Sequence, residues 1–340
     1  MLHLDGSYGE GGGQIVRTSL SLAALLGVAV RIENIRAGRP KPGLKAQHLT
    51  AVKALAEITQ AQVKGAVLNS QELTFAPGRP RSGHYVFDVA ETTGSAGSVS
   101  LVAQAVLPAL LFAAGTSTVT IQGGTHVPWS PPVHYLIHVF LPLLSQMGAR
   151  VTLTLERWGF YPRGGGRVHL KIHPAPALEG VELLTPAPRE ALRGLSATGR
   201  LPEHVRRRQA ARLRERLGPE LPVEEVTADS LDPGSLVFLW GPGAGFSALG
   251  ARGKPAEQVA DEAVDAYLHY EARQAALDRH AADQLVLYLA RARGTSRFTT
   301  EAVSSHLLTN LWVIEQFLGP RFEVQGAVGE RGEVRCRGAG

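Results

Sequence analysis

The chain has 340 residues with one cysteine, 44% hydrophobic and 19% charged residues. One hydrophobic core usually stops growing below this length, so we expect two domains of a soluble globular protein. The formal charge of +5 and the pI near 9.5 favour an anionic partner, but they are too mild for a dedicated nucleic-acid binder. Most cations are arginines, which suit bidentate phosphate contacts, although a G+C-rich genome would give the same bias.

The single Cys336 excludes an internal disulfide and a cysteine-based zinc site, and it agrees with a reducing, cytoplasmic location. The N-terminus lacks the pattern of a signal peptide. The most apolar segment, 101–115, is too short to span a bilayer and contains Gln104 and Pro108. We therefore predict a buried helix there and no membrane association.

The segment GSYGEGGGQIVR, residues 6–17, places one acid beside three consecutive glycines. A glycine run that opens a helix leaves backbone N–H groups uncovered, and such groups bind anions. No Lys-Ser/Thr follows the glycines, as a P-loop requires, and the preceding apolar run is too short for a clear first strand of a dinucleotide-binding fold. A phosphate site and a plain glycine-rich turn therefore both remain open.

Three segments repeat one pattern, at 12–35, 96–123 and 281–300. Each has a small or polar start, an apolar helix, a glycine and a β-branched strand, and each is followed by a second helix and another strand. This predicts an α+β fold of three α-β-α-β units, with two helices packed on a four-stranded sheet in each.

Between the second and third units the chain is rich in proline and charge, which predicts a smaller inserted α/β domain at 180–276. The large domain then comprises 1–179 and 277–340. The arginine-rich helix at 202–218 is interpreted as a solvated face, with contact to RNA as the alternative.

The loop and helix start IRAGRPKPGLKAQHLTAVKA, residues 35–54, form the second candidate site. Its cations are Arg36, Arg39, Lys41 and Lys45. Cationic side chains beside unpaired N–H groups suit a phosphate, and Gln47 and His48 follow on the first turns of the helix. A solvated basic loop is the alternative.

The segment SSHLLTNLWVIEQFLG, residues 304–319, predicts a helix that buries a leucine-rich stripe. Ser304 or Ser305 can cap it, which places His306 in the first turn, where the helix dipole disfavours the imidazolium form. A neutral imidazole at a phosphate-attracting helix end can act as a nucleophile. A purely structural histidine is the alternative.

Two further segments supply polar or aromatic residues. Asp283 and Gln284 open the first helix of the third unit, where they either join the other sites or act as ordinary helix caps. In GGTHVPWSPPVHYL, residues 123–136, the prolines and Trp129 either flank a base or form turns.

Together these motifs resemble the RNA 3′-terminal phosphate cyclases. The matching segments are DGSYGEGGGQIVRTSLSL, IRAGRPKPGLKAQHLTAVKA, GSAGS, GGTHVPWSPP, GFYPRGGG, ADQLVLYLA and SHLLTNLWVIEQFL, in the family's order from Asp5 to Leu318. The resemblance implies a large domain of three repeated units, related to those of the enolpyruvyl transferases, and one inserted α/β domain.

The resemblance also implies a reaction, in which ATP converts an RNA 3′-phosphate to a 2′,3′-cyclic phosphodiester. A histidine at the position of His306 attacks the α-phosphate of ATP and releases pyrophosphate. AMP passes to the RNA 3′-phosphate, and the 2′-OH closes the ring and expels AMP. The implied partners are ATP and RNA with a 3′-phosphate end, without a membrane, and a homodimer is left open.

The family's site residues map onto this chain position by position. The resemblance implies phosphate or RNA contacts for Arg17, Arg36, Arg39 and Gln47, ATP contacts for Pro131, His280, Asp283 and Gln284, and a Mg²⁺ or Mn²⁺ ligand at Glu10. Asp283 has a second reading, as the residue that orients His306. His280 departs from the family pattern, which has an aromatic residue there to stack on adenine.

Two other functions compete with this one. A non-catalytic relative could serve as an RNA-binding scaffold in ribosome assembly, but it would not need His306, Glu10, Arg17 and Arg39. An enolpyruvyl transferase resembles six such units, whereas this chain has three.

Overall fold

The structure is a computed structural model that describes residues 1–89 and 96–339. Residues 94 and 95 of the GSAGS motif lie outside this part of the chain. The described residues form four four-stranded sheets, three of which share one strand order. No helix among them is long and apolar enough to cross a membrane.

The first repeat has the order β-α-β-α-β-β. Its elements are β1 (Leu2–Asp5), α1 (Gly13–Leu26), β2 (Val30–Glu33), α2 (Ala46–Thr59), β3 (Gln62–Lys64) and β4 (Leu73–Ala76). The strand order is β1-β2-β4-β3, in which β1 and β2 are parallel and the other pairs antiparallel. The repeat thus begins with a short strand, which the expected α-β-α-β pattern lacked, and ends in two strands.

The second repeat has the same topology. Its elements are β5 (His84–Asp88), α3 (Val99–Leu111), β6 (Ser117–Gly123), α4 (Val133–Tyr135), a π-helical turn (Leu136–Phe140), α5 (Leu141–Gln146), β7 (Val151–Arg157) and β8 (Gly166–Ile172). The strand order is β5-β6-β8-β7, again with one parallel pair. As predicted for the most apolar segment, α3 is a buried helix.

A fourth sheet is inserted after the first strand of the third repeat, β9 (Glu182–Leu183). The inserted elements are β10 (Arg193–Gly199), α6 (Glu203–Leu217), β11 (Val223–Thr227), β12 (Gly234–Gly241), β13 (Ala244–Leu249) and α7 (Ala256–Arg273). They bury a separate apolar cluster that includes Leu213, Phe246 and Val264. A separate core is what an inserted domain requires.

The third repeat resumes with α8 (Arg279–Leu289), β14 (Thr295–Thr300), α9 (Ser305–Leu318), β15 (Phe322–Gln325) and β16 (Gly332–Arg337). Its strand order, β9-β14-β16-β15, repeats that of the first two sheets, with β9 parallel to β14. The domain boundaries at 180 and 276 stay a prediction, and this pairing favours an insert that begins after β9.

The fold is α+β with two helices packed on a four-stranded sheet in each repeat, as predicted. Helix α1 contacts α2, α3 and α9, and α8 contacts α9, so the repeats meet through their helices. The residues of α1 that face these helices, such as Ile15, Val16 and Leu20, are fully buried. This packing brings helix N-termini from all three repeats together.

Candidate active site

A cavity of about 910 Å³ lies where the three repeats and the insert meet. The N-terminal halves of α1, α2 and α9 line it together with residues along α3 and α8, and the insert contributes Phe246, Ser247 and His269. Helix N-termini carry partial positive charge and free N–H groups, so their convergence favours negatively charged ligands. Lys41 and Lys45 do not line this cavity, whereas every residue that the family resemblance implies for the site does: Glu10, Arg17, Arg36, Arg39, Gln47, Pro131, His280, Asp283, Gln284 and His306.

The glycine run brings two side chains against the start of α1. A Cβ on Gly12 would collide with the carboxylate of Glu10, and a Cβ on Gly13 would collide with the ring of His48. Gly12 is the N-cap of α1, and no side chain accepts a hydrogen bond from the first turn. The helix therefore presents uncapped N–H groups beside Glu10, which is an arrangement suited to a phosphate.

His306 lies in the first turn of α9, as predicted. The Ser304 hydroxyl caps this helix by accepting a 3.0 Å hydrogen bond from the Leu307 N–H. The Nδ1 of His306 is hydrogen-bonded to Oε1 of Gln14, and Oε1 of Glu10 lies 3.6 Å from the same nitrogen. Because an amide oxygen only accepts, Nδ1 carries the hydrogen and Nε2 keeps its lone pair.

The surroundings of the half-exposed His306 ring favour its neutral form. Burial lowers the pKa of His306 below its usual 6.5, and the cations Arg17 and Arg39 add to this effect, whereas the negative charge of Glu10 opposes it. A neutral imidazole with a free Nε2 has the protonation state that a nucleophile needs at neutral pH.

Sequence reasoning missed Gln14 as the partner of His306. The alternative that Asp283 orients the histidine does not match the structure, in which the Nδ1 partner comes from α1. The signal was present, because Gln14 is the first polar residue after the glycine run, at the start of the helix. Its partner lies 292 residues away, and no local pattern identifies such a contact.

The cations predicted on the loop before α2 differ in their contacts. Arg39 forms an ion pair with the Glu10 carboxylate and also donates to the Glu10 carbonyl at 2.9 Å. Arg36 donates to the carbonyls of Lys41 and Gly43 at 2.8 and 3.0 Å, so it also shapes its own loop. Lys45 points away, with Nζ donating to Asn69 Oδ1 at 2.6 Å.

Arg17 differs from the other cations of the cavity. Burial lowers the pKa of Arg17 to about 10, with Asp283 and Glu10 favouring its charge, so the guanidinium is still protonated at neutral pH. Within residues 1–89 and 96–339 this guanidinium has no hydrogen bond and no ion pair. A partly desolvated charge without a partner is costly, and an anionic ligand would supply the missing partner.

Hydrogen bonds join the first and third repeats behind these residues. Thr309 accepts from the Glu10 N–H at 3.2 Å, and Thr18 donates to Asn310 Oδ1 at 2.7 Å. The Asn310 amide in turn donates to the Asp283 carbonyl at 2.6 Å. The network holds Glu10 and His306 in place, because it connects α9, which carries His306, to α1, α8 and the turn that carries Glu10.

Asp278, rather than Asp283, caps α8. Its carboxylate accepts from the His280 and Ala281 N–H groups at 2.7 and 2.8 Å, from the Tyr135 hydroxyl at 2.8 Å and from the Gly245 N–H at 2.8 Å. Asp278 thus joins the second repeat, the third repeat and the insert.

Asp283 lies one turn further along α8, so the helix-cap alternative is wrong for it. Its carboxylate is buried, and burial together with the charge of Asp278 raises the pKa of Asp283 well above its usual value. Beside it, Gln284 accepts a 2.6 Å hydrogen bond from Gln104 of α3. The predicted ATP-binding residues therefore occupy the end of the cavity between the second and third repeats.

The acids of the site can offer a metal ion little coordination. No group of three or more histidines, cysteines, aspartates or glutamates in the described residues could hold a metal. Glu10 provides one carboxylate, of which Oε2 already pairs with Arg39. The site therefore fits a divalent ion only if phosphate oxygens and water supply most ligands, as is usual for Mg²⁺ bound to nucleotides.

The chain is similar to known proteins over nearly its whole length. Residues 8–324 match a family model described as RNA 3′-terminal phosphate cyclase. The chain is 49% identical to an RNA 3′-terminal phosphate cyclase of Methylococcus capsulatus, over 99% of this chain and 97% of the relative. It is 47% identical to one of Thermococcus onnurineus, over 99% of both chains. The chain therefore belongs to the RNA 3′-terminal phosphate cyclase family of enzymes.

Proposed function

We propose that this enzyme uses ATP to convert an RNA 3′-phosphate end into a 2′,3′-cyclic phosphodiester, through an adenylate on His306. The observation that carries the proposal is the contact of His306 Nδ1 with Gln14, which leaves Nε2 free, in a cavity that also contains Arg17, a guanidinium without a hydrogen bond or ion pair among the described residues. The family supplies the overall reaction, and the cavity supplies residues suited to each step.

In the first step Nε2 of His306 attacks the α-phosphorus of ATP, a P–N bond forms, and the bond to pyrophosphate breaks. The Gln14 amide oxygen holds the Nδ1 hydrogen, which leaves Nε2 as the nucleophile and stabilises the positive charge that develops on the ring. Arg17 and the uncapped N–H groups of α1 suit the charge on the phosphates.

In the second step an oxygen of the RNA 3′-phosphate attacks the same phosphorus, and the P–N bond to His306 breaks. The product has a phosphoanhydride, so AMP is now a good leaving group on the RNA 3′-phosphorus. The vicinal 2′-OH attacks that phosphorus, loses its proton and expels AMP. Two anionic substrates meet in these steps, and Arg36, Arg39 and Gln47 are the residues proposed to hold them.

Glu10 is proposed as the protein ligand of a Mg²⁺ or Mn²⁺ ion that accompanies ATP. Such an ion would neutralise phosphate charge and favour departure of pyrophosphate. Glu10 also lies against His306 and Arg39, so it acts on the ring and on the phosphate site even without a metal. A cytoplasmic location also stays a prediction, which rests on the single cysteine.

Labelling with α-³²P ATP in the absence of RNA tests the proposal. The purified protein with Mg²⁺ should acquire label that survives denaturation and alkali and is lost in acid, as expected of a phosphoramidate. His306→Ala should remove the label. His269→Ala, which changes another histidine of the cavity wall, is the matched control and should keep it.

Two outcomes would refute the covalent intermediate. One is an unlabelled, folded wild-type protein with either Mg²⁺ or Mn²⁺, which would favour the RNA-binding scaffold instead. The other is a His306→Ala protein labelled as fast as wild type. A thermal melt of each variant separates loss of chemistry from loss of fold.

A further inference from the structure

One aromatic side chain at the cavity is used by neither the fold nor the proposed chemistry. Trp129 lines the cavity, and it is 95% exposed. Its φ of 62° lies in the left-handed region, where a bulky residue is unusual and strained. An exposed tryptophan in a strained conformation contributes little to folding, which suggests that it has a ligand.

The loop that carries Trp129 is anchored at both ends. The N–H groups of Thr125 and His126 donate to the Gly159 carbonyl at 2.9 and 3.0 Å. The Val133 N–H then closes the loop by donating to the Thr125 carbonyl at 3.0 Å. The indole is therefore held outward from a rigid base, which reduces the entropy lost when a ligand stacks on it.

The indole also has no partner of its own. Across the part of the chain that the structure describes, Trp129 takes part in no aromatic pair and no side-chain hydrogen bond. In contrast, Trp158 and Trp240 stack on histidines, and Trp312 stacks on Tyr8. Trp129 thus differs from the other tryptophans in offering a free ring face to the cavity.

Trp129 both lines the cavity and is almost fully exposed, so it lies at the mouth of the cavity. This position favours one of the two substrates whose bases could stack on it. Adenosine is a complete ligand that the cavity can enclose, and the residues proposed for it include His280 and Gln284 of α8. An RNA substrate continues from its 3′ end into solvent, so its last bases must pass the mouth. Single-stranded RNA is bound by cations on its phosphates and by aromatic rings on its bases, and this cavity offers both.

We infer that Trp129 is a stacking platform for a base at the 3′ end of the RNA substrate. The inference rests on the proposed function and adds a substrate contact to it. Stacking accepts any base, so Trp129 increases affinity without selecting a sequence. Loss of one such contact typically weakens binding by about 5- to 150-fold.

The test compares Trp129→Ala with Trp129→Phe in two assays. In cyclisation of a 3′-phosphate oligonucleotide, Trp129→Ala should raise the KM for RNA by about tenfold with little change in kcat, and Trp129→Phe should recover most of the loss. In self-labelling with ATP alone, both variants should match wild type. An oligonucleotide whose last nucleotides are abasic should abolish the difference between wild type and Trp129→Ala.

The outcomes separate this inference from the proposed function. A Trp129→Ala protein with an unchanged KM for RNA would overturn the inference, and so would one with a raised KM for ATP in self-labelling, which would place adenine on the indole. If neither the wild-type protein nor any variant can be labelled with ATP or cyclises RNA, the proposed function is wrong, and these two assays no longer test the inference about Trp129. Quenching of indole fluorescence by a 3′-phosphate oligonucleotide then decides, because the inference requires quenching that Trp129→Phe reduces.

Discussion

Arginines cluster on α6 and around the cavity, but their surroundings are opposite. Along α6, arginines one turn apart face acids one turn apart on α7: Arg208 with Glu257, Arg212 with Asp261, and Arg216 with Asp261 and Asp265. In the cavity, Arg17 has no such partner within the described residues, and burial lowers its pKa. Only the second environment leaves a guanidinium available to an anion.

The comparison shows that an arginine cluster in a sequence does not identify an anion site. The α6 cluster is the denser one, and its arginines stabilise the packing of α6 on α7 by ion pairs. What distinguishes Arg17 is desolvation without a neutralising contact, which is unfavourable until a ligand binds. The same substitution in the two regions should therefore have opposite effects on activity and stability.

The largest expected effect is that of Arg17→Met. We expect the rate of self-labelling with ATP to fall by about 10²- to 10³-fold, because a group aimed at transition-state charge is lost. The fold should be unchanged, since the guanidinium has no hydrogen bond or ion pair to lose within the described part of the chain. The matched control is Arg212→Met, which removes an arginine of the same charge and should leave the labelling rate at the wild-type value.

The same two variants can also contradict the distinction between the arginines of α6 and Arg17. If Arg212→Met lost as much activity as Arg17→Met, pairing with an acid would not mark an arginine as structural. Circular dichroism melts of both proteins are needed alongside the rates, because a misfolded Arg17→Met protein would also be inactive.

The pH dependence of labelling is the next effect in size. Burial lowers the pKa of His306, so the nucleophile should stay neutral down to pH 6.5 and the rate should fall only below that value. Glu10 opposes this shift. Glu10→Gln should therefore move the acid limb to still lower pH, whatever it does to the maximal rate.

The measurement is the rate of labelling against pH, with each protein normalised to its own plateau. The account of the His306 pKa would be contradicted if the wild-type rate already fell with decreasing pH above pH 7. It would also be contradicted if Glu10→Gln moved this fall in rate to higher pH. Gln14→Ala is a useful companion, because it removes the Nδ1 partner without changing the charge of the site.

The sequence predicted the α+β class and the three repeats from local patterns, and the family resemblance supplied the predicted site residues, which line the cavity. The apolar helices and the polar residues at their starts are visible at short range. Of the glycines expected to cap the first helix of each repeat, only Gly27 does so, because the C-cap residue of α3 is Phe112 and that of α8 is Ala290. Gln14 and Asp278 were not identified, since their roles depend on partners in other repeats. The α6 to α7 pairing was visible in principle, because the acids of α7 recur at the same four-residue spacing as the arginines.

A smaller effect is expected on the free energy of unfolding at acidic pH. Its source is again a desolvated side chain at the cavity, the ring of His48. Burial lowers the pKa of His48 to about 3, from 6.5 in the unfolded chain. The unfolded chain therefore binds a proton that the fold excludes, and stability should decrease as pH falls from 6.5 toward 3. The slope for one such histidine is at most about 1.4 kcal/mol per pH unit.

Urea unfolding at neutral pH and at pH 5 measures that slope. His48→Gln should reduce this slope by up to the contribution of one bound proton, about 1.4 kcal/mol per pH unit, because glutamine cannot titrate. His134, whose pKa burial also lowers to about 3, keeps its contribution and serves as the internal reference. An unchanged slope in His48→Gln would show that this ring is protonated in the folded protein.

The smallest expected effect is that of Asp261→Asn, on the paired side of the comparison. Asp261 accepts from Arg212 at 2.9 Å and from Arg216 at 2.6 Å, so the change removes the charge that both arginines face. These groups are partly solvent-exposed, and ion pairs of this kind contribute little, so the melting temperature should fall by a few degrees at most and less at high salt.

Asp261→Asn also tests the alternative reading of α6 as an RNA-binding surface. The substitution leaves two arginines free of their shared acid while changing nothing in the cavity. Arg212 keeps Glu215 and Arg216 keeps Asp265 as partners. If loss of the shared acid were enough to let these arginines bind RNA, affinity for an oligonucleotide should rise in this variant, with a steeper dependence on salt. We expect no change in affinity, because an RNA 3′ end that reaches His306 is held by the cavity and its mouth. Unchanged affinity would show that the α6 arginines serve the packing of α6 on α7 and do not bind RNA.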